Sequence, residues 1–160
     1  MKILYFGTQK SGKSSKAEKK ALLLNKKPFY VATYDNSFAD KEMQVRIKKH
    51  QERRKDLFYT IQSPKDLTFL EDNKTYLIDC LSMWIFNLLD QEDKIKEQLK
   101  YLKSSKANIV FVLNDVGGGI IPVDKMSRKF VDLNGIVGQE VASFCDEVYE
   151  VKLGIEIKLK

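Results

Sequence analysis

Short apolar runs alternate with amphipathic stretches along most of this chain. The apolar runs predict strands at residues 3–6, 28–33, 57–61, 76–79 and 108–113. Between them, apolar positions at helical spacing predict helices at residues 15–24, 39–54, 81–103 (in two parts, bent near 90–91) and 123–146, and a further helix starting at Ser63-Pro64. Strands that alternate with helices favour parallel pairing in an α/β fold.

The end of the chain follows a different pattern. Residues 148–152 and 155–159 alternate apolar and polar positions around Gly154, which predicts an antiparallel hairpin at one sheet edge. No repeat, linker or low-complexity segment divides the sequence, so we expect one domain over residues 1–160.

A phosphate-binding motif lies between the first predicted strand and the first predicted helix. The stretch matches G-x-x-x-x-G-K-[ST] at every fixed position and reads Gly7, Thr8, Gln9, Lys10, Ser11, Gly12, Lys13, Ser14. In such a loop (residues 7–14, hereafter the phosphate loop) the backbone N–H groups and the helix N-terminus bind phosphate oxygens. Lys13 is expected to reach the β- and γ-phosphates, and the Ser14 hydroxyl to bind Mg²⁺. A simple glycine turn is the alternative, but the strand before and the helix after disfavour it. The sequence therefore predicts a P-loop NTPase-type sheet with flanking helices.

Composition agrees with a soluble globular domain, since 43% of residues are hydrophobic and 31% are charged. The sequence contains no apolar run of the ~20 residues that a membrane helix needs, and no signal-peptide pattern, so we expect a cytoplasmic protein. Cys80 and Cys145 are expected to be buried free thiols. The net charge of +6 suits solvated helix faces or anionic ligands, with nucleic acid a minor possibility.

Asp79 ends the fourth predicted strand, where P-loop enzymes place a carboxylate that binds Mg²⁺. With Ser14 it forms a plausible metal pair. The alternative is an aspartate that caps the following helix.

The single histidine, His50, lies among arginines in a predicted helix. Arg46, Arg53 and Arg54 are three or four residues away, so all can reach the same helix surface. Their charges disfavour protonation of the imidazole, and guanidinium groups bind phosphate. A neutral imidazole there could attack a phosphorus atom and form a phosphoramidate. A solvated helix face remains the alternative.

A glycine-rich loop at residues 114–122 follows the fifth predicted strand. Its three glycines permit a ligand to approach the backbone, and Asp115 is expected at the ligand end of the strand. Arg128 and Lys129 follow in the next helix, facing either an anionic substrate or solvent.

Taken together, these stretches resemble the bifunctional adenosylcobinamide kinase/adenosylcobinamide-phosphate guanylyltransferase family over nearly the whole chain. The matching positions are the phosphate loop, Ala32-Thr33, Asp40, Glu42-Met43, Arg46-Ile47, His50, Arg54, Ile78 to Leu81, Trp84, Asn87 to Leu89, Asn114, Val116-Gly117, Gly119-Ile120, Pro122, Arg128, Phe130, Asp132, Gly135, Gln139, Asp146 to Val148 and Lys158 to Lys160. The segment around His50 and the loop at 114–122 are the specific signals.

The resemblance implies two reactions. A nucleoside triphosphate, ATP or GTP, phosphorylates the aminopropanol hydroxyl of adenosylcobinamide. GTP then transfers GMP through a covalent GMP–histidine intermediate to adenosylcobinamide phosphate, which gives adenosylcobinamide-GDP. It assigns catalysis to His50 and Lys13, and Mg²⁺ to Ser14 and Asp79. It assigns nucleotide binding to the phosphate loop and to Ala32, Thr33, Tyr34, Gln51, Glu52, Arg53, Arg54, Gln62 and Asp79.

The sequence departs from the family pattern at three places. Gly7-Thr8-Gln9-Lys10 replaces Gly-Gly-x-Arg, Gln62 replaces an acid, and Asp115 replaces a glutamate. Lysine keeps the charge of arginine but lacks its bidentate fork. The resemblance also implies a corrinoid substrate and a homo-oligomer, specifically a trimer, without nucleic-acid or membrane partners.

Two alternative functions share the same loop. One is a small-molecule kinase without guanylyl transfer. The other is a module in which bound nucleotide controls a partner. A regulatory GTPase normally carries [NT]-K-x-D, and Asn25-Lys26-Lys27-Pro28 lacks its aspartate.

Overall fold

The computed structural model describes residues 1–35, 45, 52 and 54–160. Its strands are β1 (Lys2–Gly7), β2 (Phe29–Ala32), β3 (Tyr59–Gln62), β4 (Thr75–Asp79), β5 (Asn108–Asn114), β6 (Glu147–Lys152) and β7 (Ile155–Lys158). The described helices are α1 (Lys13–Leu24), α2 (Leu81–Asn87), α3 (Glu92–Ser104) and α4 (Lys125–Phe144), with a 3-10 turn at Lys55–Leu57.

One seven-stranded sheet has the order β3-β2-β4-β5-β1-β6-β7. Every pair is parallel except β6–β7, which form the antiparallel hairpin at the edge. The predicted α/β class, the mostly parallel sheet and the C-terminal hairpin are therefore confirmed.

Alternating side chains of the central strands divide the core between the two sheet faces. On β5, Val110 and Val112 face the same cluster as Ala17 and Ala21 of α1. Phe111 faces the opposite cluster, which α2, α3 and α4 cover. Because both faces are covered, β5 is a nearly continuous apolar run, as the sequence predicts.

The predicted helix at Ser63-Pro64 is wrong. Residues 63–74 form loops and turns between β3 and β4. The buried Gln98 side chain holds them: its Oε1 accepts a hydrogen bond from Leu67 N at 2.8 Å, and its Nε2 donates to Lys65 O at 2.9 Å. Asp66 Oδ1 also accepts from Thr68 N at 2.8 Å. Side chains thus satisfy backbone groups that a helix would have bonded internally.

Apart from the predicted helix at 39–54, the other predicted elements are confirmed with small shifts at their ends, and the helical break between 81 and 103 lies at residues 88–91. Most of the predicted helix at 39–54 lies outside the described residues; residues 45, 52 and 54 are helical. Among the helices that the structure describes, none has the length and apolar character that crossing a membrane requires.

Candidate functional site

The carboxyl ends of the parallel strands lie along one edge of the sheet, because parallel strands end on the same side. The structure brings to this edge the loop after β1, residues 32–34 after β2, Gln62 at the end of β3, Asp79 at the end of β4, and the loop after β5. In the register of the sheet, Asp79 aligns with Val112 of β5, and Val112 aligns with Tyr5 of β1. At the usual strand spacing, Asp79 is therefore about 10 Å from β1.

The phosphate loop connects β1 directly to α1. Thr8 O accepts hydrogen bonds from Ser11 N at 3.2 Å and from Lys13 Nζ at 3.1 Å, which curls the loop around one carbonyl. Gly12 has φ +97° at the start of α1, a left-handed conformation that favours glycine. The first turn of α1 contains no acidic side chain. Its N–H groups and partial positive charge are therefore suited to an anion.

Ser11 is the buried polar side chain of this loop. It is 6% exposed, and its Oγ has no hydrogen-bond partner within the part of the chain that the structure describes. An unsatisfied buried hydroxyl costs about 1–3 kcal/mol, so a bound oxygen anion would offset that cost.

The C-terminal hairpin supports the phosphate loop from behind. Gly154, in the turn between β6 and β7, donates its N–H to Ser11 O at 2.9 Å. At Gly7 a Cβ atom would lie 2.3 Å from Val151 O of β6 and 2.9 Å from Ser11 Oγ. The backbone of β6 thus packs too closely on the loop for any side chain at residue 7.

Asp79 is held by a tyrosine on the neighbouring strand. Tyr30 Oη donates to Asp79 Oδ2 at 2.9 Å, across the β2–β4 pair. Burial, followed by the Asp79 charge, raises the pKa of Tyr30 well above its ordinary value, so this hydroxyl remains a donor. The bond fixes one carboxylate oxygen of Asp79.

Cys80 links Asp79 electrostatically to the phosphate loop. Burial, which has the largest effect, and the Asp79 charge raise the pKa of its thiol to about 12, while the Lys13 charge acts in the opposite direction. Both charges therefore act at the same thiol.

Arg54 is buried rather than open to solvent. It is 5% exposed, its guanidinium carbon lies 3.5 Å from the ring centroid of Tyr30, and its Nη1 is 3.6 Å from Glu18 Oε1 of α1. The described end of the predicted His50 helix is thereby joined to both β2 and the phosphate-loop helix. In this structure the guanidinium of Arg54, a predicted nucleotide-binding residue, contacts Tyr30 and Glu18.

The residues after β2 are held by hydrogen bonds to two neighbouring segments. Thr33 Oγ1 donates to Cys80 O at 2.7 Å and accepts from Cys80 N at 2.9 Å. Asn87 Nδ2 donates to Thr33 O at 2.8 Å. Gln62 Nε2 donates to Tyr34 O at 3.3 Å, so the predicted nucleotide-binding residues of β2 and β3 adjoin.

Asn114 ties the loop after β5 to three elements. Its N donates to Ser82 Oγ at 2.9 Å, its Nδ2 lies 3.4 Å from Cys80 Sγ, and its O accepts from Asn134 Nδ2 at 3.0 Å. These contacts fix the start of the glycine-rich loop beside Cys80.

Several predicted residues remain without structural support. His50, Gln51, Arg53 and Arg46 lie outside the described residues, while Glu52 is helical and exposed. Within the described ranges, no three His, Cys, Asp or Glu side chains form a metal-binding group. Both cysteines are buried free thiols, as predicted.

The contacts of Tyr30 with Asp79 and of Glu18 with Arg54 were not predicted from the sequence. Tyr30 lies in an apolar strand, and its contact with Asp79 follows only from the β2–β4 pairing. Glu18 occupies one of many charged positions in a lysine-rich helix.

A family profile described as cobinamide kinase / cobinamide phosphate guanyltransferase matches residues 3–159. The bifunctional adenosylcobalamin biosynthesis protein CobP of Pseudomonas aeruginosa is 32% identical over 171 residues, covering 100% of this chain and 98% of that protein. The bifunctional adenosylcobalamin biosynthesis protein CobU of Escherichia coli is 31% identical over 185 residues and is covered completely, as is this chain.

A solved structure from Pyrococcus horikoshii OT3 covers 99% of this chain and 85% of its own, with a TM-score of 0.50 and 12% identity. That likeness concerns the fold alone. The family profile and the two relatives are matches in sequence, over residues 3–159 for the profile and over the full chain for the relatives. The chain belongs to the cobinamide kinase / cobinamide phosphate guanyltransferase family, whose two named activities, a kinase and a guanylyltransferase, both use nucleoside triphosphates.

Proposed function

We propose that this protein phosphorylates adenosylcobinamide and then guanylylates the product through a covalent GMP–His50 intermediate. The observation that carries the proposal is the curled phosphate loop, with Lys13 Nζ on Thr8 O and Asp79 held by Tyr30 at the end of β4, in a chain that matches the family over residues 3–159. The proposal includes a single nucleotide-binding domain over residues 1–160.

In the kinase step, the aminopropanol hydroxyl oxygen attacks the γ-phosphorus of ATP or GTP. The new O–P bond forms as the bond to the β–γ bridging oxygen breaks, the nucleoside diphosphate leaves, and the hydroxyl proton goes to solvent. The phosphate loop holds the β- and γ-phosphates, and Lys13 stabilises the charge on the leaving oxygen.

In the transferase step, a neutral imidazole nitrogen of His50 attacks the α-phosphorus of GTP. The N–P bond forms as the bond to the α–β bridging oxygen breaks, and pyrophosphate leaves from the same loop. A phosphate oxygen of adenosylcobinamide phosphate then attacks that phosphorus. This regenerates the imidazole and yields adenosylcobinamide-GDP.

The residues present fit Mg²⁺. Ser14 offers a hydroxyl, and Asp79 offers a carboxylate that accepts from Tyr30 through its Oδ2. Mg²⁺ is usually held by one or two carboxylates together with substrate phosphates. When bound, Mg²⁺ supplies charge neutralisation at the phosphate oxygens. Tyr30 orients the carboxylate, and the α1 N-terminus orients the phosphates.

The remaining nucleotide contacts are proposed at the same edge of the sheet. They comprise Gly7, Thr8, Gln9, Lys10, Ser11, Gly12, Ala32, Thr33, Tyr34, Gln51, Glu52, Arg53, Arg54 and Gln62. We further propose a cytoplasmic homo-oligomer, a trimer by family resemblance.

Lys13→Ala tests whether one loop serves both steps. We expect phosphorylation of adenosylcobinamide and pyrophosphate release from GTP to fall together, by about 100-fold or more, because each step loses the same charge at its leaving group. Lys19→Ala, at an exposed lysine of α1, is the matched control and should retain both activities. Loss of only one activity in Lys13→Ala would require separate phosphate sites.

The alternative of a kinase without guanylyl transfer predicts a different product. Such an enzyme releases no pyrophosphate from GTP. Absence of pyrophosphate from wild-type protein that still phosphorylates adenosylcobinamide would favour that alternative.

A further inference from the structure

The loop after β5 exposes large apolar side chains beside the candidate site. Residues 116–123 carry no charged side chain, in a chain that is 31% charged. Ile120 is 95% exposed, Ile121 79%, Val123 94% and Met126 58%. Contiguous exposed apolar surface of this kind marks a ligand or partner site. We propose that this segment, residues 116–126 and hereafter the apolar loop, holds the corrin ring of the cobinamide substrate.

The near end of the apolar loop is joined to the phosphate loop. Asp115 N donates to Gly7 O at 2.9 Å, and Gly117 N donates to Asp115 Oδ1 at 3.2 Å. The apolar surface therefore begins next to the first glycine of the phosphate motif. A substrate whose reacting oxygen lies at the phosphates can extend onto this surface.

The far end is anchored by α4. Arg128 Nη1 donates to Pro122 O at 3.0 Å and also to Val123 O, and Asp124 caps the helix by accepting from Ser127 N at 2.8 Å. Both ends are thus fixed through hydrogen bonds. The apolar side chains between them project into solvent instead of packing on the core.

None of the residues that the structure describes accounts for Gly117 or Gly119. Neither has a left-handed φ, and a Cβ at either residue would meet no described atom within 4 Å. Neither backbone conformation nor internal packing therefore requires a residue without a side chain. Open backbone at these two positions suits a molecule that approaches from outside.

The chemistry of the substrate matches this surface. A corrin macrocycle carries methyl groups and amide side chains around its rim, so it needs apolar contact together with hydrogen bonds to exposed peptide groups. The apolar loop offers both, and its residues 116–123 carry no charged side chain. This assignment rests on the proposed function, because the corrinoid reaches the loop only if its hydroxyl or phosphate reacts at the adjacent phosphate site.

The test compares two double variants of the full chain. Ile120→Ser with Val123→Ser removes apolar surface from the loop, and Leu23→Ser with Ile136→Ser removes exposed apolar side chains from α1 and α4, where Leu23 is 83% and Ile136 59% exposed. Equilibrium dialysis with adenosylcobinamide, followed by its visible absorbance, measures affinity. Analytical ultracentrifugation measures the assembly of each variant.

We expect the loop variant to bind adenosylcobinamide about tenfold more weakly or worse, with an unchanged sedimentation coefficient, and the control to match wild type. Unchanged affinity in the loop variant overturns the assignment. Weakened affinity that accompanies dissociation also overturns it, since the loop would then contact a second copy of the chain.

A separate readout distinguishes failure of this assignment from failure of the proposed function. Both double variants should acquire label from GTP labelled at the α-phosphorus as wild type does, because the substitutions leave the phosphate loop intact. Absence of label in wild type contradicts the proposed guanylyl transfer. Unchanged dialysis affinity with normal labelling contradicts only the corrin assignment.

Discussion

Tyr30 contributes two separate contacts at the level of single residues. Its hydroxyl donates to Asp79 at 2.9 Å, while its ring lies 3.5 Å from the Arg54 guanidinium carbon and meets Phe58 edge-on. A phenylalanine keeps the ring contacts and loses only the hydroxyl. The role of the hydrogen bond can therefore be measured by itself.

Tyr30→Phe is expected to leave Asp79 less well oriented for Mg²⁺. The Mg²⁺ concentration for half-maximal labelling by α-labelled GTP should rise several-fold, and the free energy of unfolding should fall by about 1.5–3 kcal/mol, as for loss of a hydrogen bond to a charged group. Tyr59→Phe is the control, at a tyrosine that is 51% exposed. An unchanged Mg²⁺ dependence in Tyr30→Phe would remove Tyr30 from the site.

The two thiols should be unreactive in the native protein. Burial raises the pKa of Cys80 and of Cys145 to about 12, from 9.0, so neither forms appreciable thiolate at pH 9. Iodoacetamide at that pH should label unfolded protein at both cysteines and native protein at neither. Because folding raises the pKa of both thiols, the stability that comes from burying them uncharged is fully present below pH 9. It is lost as the pH rises toward about 12. Rapid native labelling of Cys80 at pH 9 would contradict its burial.

At the scale of elements, the phosphate loop packs closely against the C-terminal hairpin. A Cβ at residue 7 would meet Val151 O at 2.3 Å, a distance that requires one strand to move. The hairpin therefore supports the predicted phosphate-binding loop and also forms the edge of the sheet.

Gly7→Ala should lower the free energy of unfolding by about 1–3 kcal/mol, as overpacking does, and should weaken nucleotide binding. Gly135→Ala provides the opposite control, since its Cβ would lie in open space on helix α4. That change should stabilise the fold by about 0.5–1 kcal/mol. Urea denaturation measures both. Equal stability of Gly7→Ala and wild type would mean that the loop and hairpin separate readily.

The elements that the sequence predicted correctly are those with strong local signals. The buried run of β5, the phosphate motif before α1 and the alternation around Gly154 each identify their own conformation. The predicted helix after Ser63 failed because Gln98, more than thirty residues away, bonds that backbone. Serine followed by proline resembles a helix start, and the local pattern carries no information about a distant glutamine.

The candidate site likewise has one part that local sequence patterns predicted and another part that only the structure shows. The phosphate loop and the strand-end position of Asp79 follow from motif and alternation. The Tyr30–Asp79 bond depends on the pairing of β2 with β4. The Arg54–Glu18 pair depends on the packing of the segment before β3 against α1, and neither arrangement follows from a local sequence pattern.

At the scale of the whole molecule, we expect the kinase step and the guanylyl transfer to take place at one edge of the sheet. The phosphate loop, Asp79 and the start of the apolar loop meet within the central strands β4, β5 and β1. In the proposed function, one phosphate site serves both the kinase step and the transferase step, so the chain needs no second one.

The most direct test is intact-mass spectrometry of the protein after incubation with GTP and Mg²⁺, followed by peptide mapping. We expect one added GMP per chain, labile to acid, on the peptide that contains His50. The His50→Ala variant should still bind GTP and gain no adduct. A wild-type protein that turns over GTP without gaining GMP, or a His50→Ala variant that gains it undiminished, would contradict guanylyl transfer through this histidine.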